Sequence, residues 1–110
     1  MITTHVLDTA TGRPAAGMSV ILEVRYGTEW TPVARGTTDA RGRLDSLTDG
    51  HPLVAGTYRL TFDTRSYDRA RGLDGFFPEV QIAFEVRDPA EPYHVPLLLS
   101  PFGFSAYRGV

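Results

Sequence analysis

The sequence predicts an all-β chain, an antiparallel β-sandwich of seven to eight short strands with one short helix. Three observations carry this reading. Apolar and polar residues alternate with a period of two in one run after another, as in strands with one buried face. Clusters of Gly, Pro, Asp and Thr separate the runs, and 11 Gly and 8 Pro supply the turns. Only the stretch 66–73 departs from alternation in a way that suits a helix. Many short strands with frequent turn signals make a sandwich.

A first strand covers 2–7 and closes in the turn-rich segment 8–14. A second covers 18–26, with Val20, Leu22 and Val24 on one face and Glu23 and Arg25 on the other. A third spans 30–36, a loop follows over 38–43, and a brief extended segment over 44–47. Tyr58, Leu60 and Phe62 alternate with Arg59, Thr61 and Asp63 in an amphipathic strand. Ser66 then reads as a helix N-cap, Arg69 and Arg71 suit the far end, and Gly72 and Gly75 end the helix. Alternation resumes over 79–87 through Val80, Ile82, Phe84 and Val86. Two final strands, 93–99 and 103–108, meet around Ser100-Pro101.

The strand 93–99 is unusual. Tyr93, Val95, Leu97 and Leu99 supply a core face, but the opposite face carries His94, Pro96 and Leu98 rather than charge. An apolar outer face with one imidazole predicts cover by a partner subunit. His94 is therefore expected in or beside an interface.

With 110 residues the chain is read as one domain, 1–110, long enough to bury a core. Its net charge of −2, with all 11 basic residues Arg and spread along the chain, argues against nucleic-acid binding. Lack of cysteine removes disulfides and thiolate chemistry. No apolar run approaches the roughly 20 residues of a membrane-spanning helix. Residues 1–17 show no secretory pattern, so a cytoplasmic protein that does not meet the membrane is expected.

Catalytic candidates are few. His5, His51 and His94 are the only groups that titrate near neutrality unperturbed. They are scattered without metal-ligand spacing, so neither metal nor cofactor is expected. No Gly-x-Ser-x-Gly elbow or phosphate-cradling loop is present. His51, followed by Pro52, reads as an exposed turn residue. His5 and His94, together with the Arg-bearing loop 38–43 and the Arg-bearing final segment, frame a possible polar pocket in an apolar interface.

Three segments carry a resemblance. Thr3-Thr4-His5-Val6-Leu7-Asp8-Thr9 with Gly12-Arg13-Pro14-Ala15, the run from Tyr93 to Pro101, and Tyr107-Arg108-Gly109 resemble the hydroxyisourate hydrolases, transthyretin-like enzymes of urate degradation. Gly42-Arg43 and Phe76-Phe77-Pro78-Glu79 fit the same family, so the resemblance covers essentially the whole chain. It implies a transthyretin-like sandwich assembled as a homotetramer, with active sites in a channel through the dimer–dimer interface. It also implies the reaction, in which water opens the six-membered ring of 5-hydroxyisourate to give 2-oxo-4-hydroxy-4-carboxy-5-ureidoimidazoline.

By that resemblance His5, Arg43 and His94 are the catalytic residues, and Tyr107, Arg108, Gly109 and Val110 bind substrate. The expected chemistry is an imidazole base, His94 partnered by His5, with Arg43 keeping the base neutral and orienting the substrate. The family typically closes with Tyr-Arg-Gly-Ser, whereas Val110 stands here in place of the hydroxyl, and Pro92 stands where a further His is usual. The alternative is a non-catalytic tetramer that binds a small heterocycle in the same channel. An immunoglobulin-like interaction module leaves the motifs unexplained.

Overall fold

The computed structural model describes residues 1–110. Nine strands and one helix run in the order β1 (Ile2–Asp8), β2 (Arg13–Pro14), β3 (Ser19–Tyr26), β4 (Glu29–Thr37), β5 (Arg43–Leu44), β6 (Gly56–Phe62), α1 (Thr64–Ala70), β7 (Val80–Val86), β8 (Tyr93–Ser100) and β9 (Gly103–Ala106). They form two sheets. One has the order β2-β1-β8-β9, with β5 also on β1, and the other has the order β4-β3-β6-β7. No helix is long and apolar enough to cross a membrane.

The period-two patterns decide which residues the two sheets bury between them. In β1, Ile2, Thr4, Val6 and Asp8 point inward, and Thr3, His5 and Leu7 are left half-buried on the outside. In β3, Val20 and Leu22 are fully buried against Leu60 and Phe62 of β6 and Leu97 of β8. Burial of such side chains contributes about 1.5–3 kcal/mol each. Thr4 is tolerated inside because its hydroxyl donates to the Val95 carbonyl at 2.7 Å.

Pairing is antiparallel throughout except between β1 and β8, which run parallel in the register Thr3↔His94, His5↔Pro96 and Leu7↔Leu98. That parallel pair was not foreseen from the sequence, and it builds the site.

Three local expectations are corrected. The helix starts before Ser66, because Asp63 is the N-cap, its carboxylate accepting the Ser66 amide at 3.1 Å and the Ser66 hydroxyl at 2.7 Å. The extended segment expected over 44–47 reduces to β5, held by Arg43 and Leu44 against His5 and Thr4. The last strand stops at Ala106 rather than 108. In the β8–β9 register Leu97 faces Ala106, so Tyr107 comes opposite Pro96, which has no amide hydrogen to continue the ladder. Pairing resumes only at the His94↔Gly109 bridge, where the Gly109 amide donates to the His94 carbonyl at 2.7 Å.

Candidate active site

The outward face of β1 and β8 brings His5 and His94 together as diagonal neighbours on adjacent strands. Arg43 joins them from β5 as the direct cross-strand partner of His5. Three residues far apart in sequence thus share one face of one sheet. His51 lies exposed in a loop outside this group.

The 39–43 turn sets both His5 and Arg43. Asp39 Oδ1 accepts the backbone amides of Arg41 at 2.8 Å and Arg43 at 3.0 Å. The Asp39 amide donates to the Arg43 carbonyl at 2.8 Å. These backbone amides hold the Asp39 carboxyl below its ordinary value. Gly42 is required at the tip, since its φ is +77° and a Cβ there would collide with the Val6 carbonyl. The turn lies against β1, with the Val6 amide donating to the Gly42 carbonyl at 2.8 Å. His5 Nε2 reaches the Arg41 carbonyl at 2.9 Å. The Arg43 guanidinium is half-exposed and forked onto Asp45, at 3.4 Å from Nε and 3.2 Å from Nη2.

His94 sits in the tightest surroundings. Its Nδ1 is 2.8 Å from the Thr3 hydroxyl across the parallel pair. Gly109 lies flat against the ring, and a Cβ at that position would stand 2.6 Å from His94 Cδ2 and 3.3 Å from Pro96 Cγ. Burial pushes the imidazole pKa below its usual 6.5, and the positive charges of Arg43 and His5 push in the same direction. Asp45 and a hydrogen bond to Thr3 oppose the shift. His94 is therefore a neutral imidazole at neutral pH, able to accept a proton.

The final segment is divided. His94, Arg108, Gly109 and Val110 line one open cleft with Glu91 and Pro92. Arg108 is drawn back by Glu91 at 3.0 Å and lies over the Tyr93 ring, 4.7 Å from its centroid. Val110 projects freely. Tyr107 turns instead to a separate apolar groove with Ile82, Phe84 and Tyr93. Within one protomer, then, Tyr107 does not line the His94 cleft, whereas Arg108 borders both the cleft and the groove. Thr3, Asp39 and Asp45 were missed by sequence reasoning. Thr3 shares the outward face of β1 with His5, but its meeting with His94 follows only from the parallel pairing.

A sequence profile of the HIUase/Transthyretin family matches residues 2–109. The chain belongs to that family. A 5-hydroxyisourate hydrolase of Salmonella typhimurium is 42% identical over 109 residues, which cover 99% of this chain and 80% of that one. Among solved structures, the family fold recurs in Klebsiella pneumoniae 5-hydroxyisourate hydrolase, with a TM-score of 0.87 and 36% identity over 99% of this chain and 98% of that one. Sea bream transthyretin in complex with thyroxine superposes with a TM-score of 0.92 at 30% identity, over 99% of this chain and 94% of that one. The transthyretin-like sandwich expected from the sequence is the fold observed.

Proposed function

We propose that this chain hydrolyses 5-hydroxyisourate to 2-oxo-4-hydroxy-4-carboxy-5-ureidoimidazoline in urate degradation, working as a homotetramer whose sites open into an inter-subunit channel. The observation that carries the reading is the half-buried His94 imidazole, its pKa held below 6.5, on one outward sheet face with His5 and Arg43. The 5-hydroxyisourate hydrolases among its relatives support the substrate.

In this reading His94 is the base. With Nδ1 donating to the Thr3 hydroxyl, the Nε2 lone pair takes a proton from water as its oxygen attacks the ring carbonyl. The Arg43 fork, once it exchanges Asp45 for substrate, holds the carbonyl oxygen as negative charge develops there. His5 partners His94 by positioning the water, and the proton that His94 has taken passes to the departing nitrogen as the ring C–N bond breaks. Arg108 and Gly109, with Val110 beyond them, border the His94 side of the pocket. Tyr107 reaches a pocket of this kind only across a subunit boundary.

The test is direct. With 5-hydroxyisourate generated in situ by urate oxidase, its ultraviolet absorbance is expected to decay faster when the protein is added. Decay at the spontaneous rate would overturn the proposal. His94→Ala is expected to lose about 10²–10⁴-fold in kcat, the usual share of a general base. Near-normal turnover of that variant would remove His94 from the role.

A second reading, a binding tetramer without catalysis, draws on the superposition with transthyretin bound to thyroxine. The polar set of His5, Arg43 and His94 weighs against it, because an apolar ligand would have to desolvate all three.

A further inference from the structure

We propose that Asp39 is a positioning residue that fixes the tautomer of His5 through the carbonyl of Arg41. The inference rests on the hydrolase reading for its effect on turnover, but its structural core is independent of it.

The argument starts from donor and acceptor chemistry. A backbone carbonyl only accepts, so the 2.9 Å contact between His5 Nε2 and the Arg41 oxygen requires the proton on Nε2. Neutral His5 then carries its lone pair on Nδ1, and this nitrogen alone is left to accept a proton. The Arg41 carbonyl belongs to a surface turn, so its position depends on the groups that close that turn. Asp39 closes the turn with a single carboxylate oxygen that accepts the amides on both sides of Gly42, those of Arg41 and Arg43. The Gly42 amide donates back to the Asp39 carbonyl at 2.9 Å, and the Gly42 carbonyl anchors the turn to Val6, next to His5 on β1. One carboxylate thus sets the acceptor for His5 and the strand position of Arg43. Asp39 itself makes no contact with His5, so it acts through the turn alone.

The experiment uses ¹⁵N-edited NMR of the imidazole side chains, which distinguishes the two neutral tautomers, read beside steady-state kinetics. The native chain is expected to show His5 protonated on Nε2. Asp39→Ala is expected to give a mixture of tautomers and a drop in kcat of about tenfold, the population change that one hydrogen bond controls. KM is expected to move less than kcat. Asp39→Asn retains Oδ1 as an acceptor and is expected to restore both the tautomer and most of the turnover.

A native His5 protonated on Nδ1 would overturn the proposal before any variant is made. So would an Asp39→Ala protein that keeps the native tautomer, or one that changes tautomer without loss of kcat. If Asp39→Ala does not fold, Asp39→Ser, with a shorter acceptor, is expected to give an intermediate mixture, and an unchanged tautomer there overturns it. A native chain without turnover but with the Nε2 tautomer, lost in Asp39→Ala, would sink the hydrolase reading and leave the Asp39 link standing.

Discussion

His94 carries two predictions at the level of single residues. Its pKa lies below 6.5, first through burial and then through the Arg43 and His5 charges. The acid limb of kcat/KM is therefore expected to fall at a midpoint below 6.5, and a midpoint at or above that value would contradict the base assignment. The same shift has a stability consequence. The unfolded chain takes up this proton near 6.5 and the folded chain only at lower pH, so the unfolded state binds more protons in that window. The His94 contribution to stability is thus complete above 6.5 and is lost as the pH falls toward the folded value. The second prediction concerns Gly109, whose missing side chain leaves room for the imidazole. Gly109→Ala places a methyl group against Cδ2 and must move the ring or the chain. A displacement of that kind costs up to about 10²-fold in kcat. Overpacking adds roughly 1–3 kcal/mol of destabilisation, measurable by urea denaturation. A variant with native turnover would show that the ring position is not critical.

The strands were legible as elements because alternation and turns recorded which residues face the core. Val20, Leu22, Leu60, Phe62 and Leu97 fall where the pattern placed them. Direction of pairing was not legible. An alternating strand buries the same residues whether its neighbour runs parallel or antiparallel, so nothing in β1 or β8 announced that they would lie parallel. That is why His5 and His94 stood out from sequence and family resemblance while Thr3, which touches His94, did not. The start of α1 was misread for a related reason. Asp63 continues the polar phase of β6 and so looked like a strand residue, yet it caps the helix. Asp63→Ala is expected to lower the stability by about 1 kcal/mol, seen as a lower urea midpoint at unchanged slope. Ser66→Ala, which leaves the Ser66 amide bonded to Asp63, is expected to cost less. The reverse order would restore Ser66 as the cap.

The two outer faces of the sandwich differ in a way that bears on assembly. On the sheet of β3 and β6 the outer face carries a charged pair stacked on an aromatic ring. Glu23 accepts from Arg59 at 2.7 Å, and Arg59 lies 4.3 Å from the Trp30 ring centroid. On the sheet of β1 and β8 the outward pairs are Thr3 with His94, His5 with Pro96, and Leu7 with Leu98. No charged pair covers Leu7 and Leu98, and an apolar strip beside the two histidines has reason to exist when another subunit closes over it. Leu98→Arg tests this at the level of the whole molecule. Its side chain points away from the core, so the isolated fold is expected to survive with an unchanged circular dichroism spectrum. Sedimentation is expected to show the native chain as a tetramer and the variant as a smaller species. If the channel completes the site, turnover falls with the mass, and raising the protein concentration recovers part of both by mass action. A variant that keeps native mass and turnover would mean that this face is open to solvent. A fully active native monomer would mean that one protomer suffices. In either case the apolar strip would need another explanation, because the chain would be presenting leucine to water beside its most carefully held histidine.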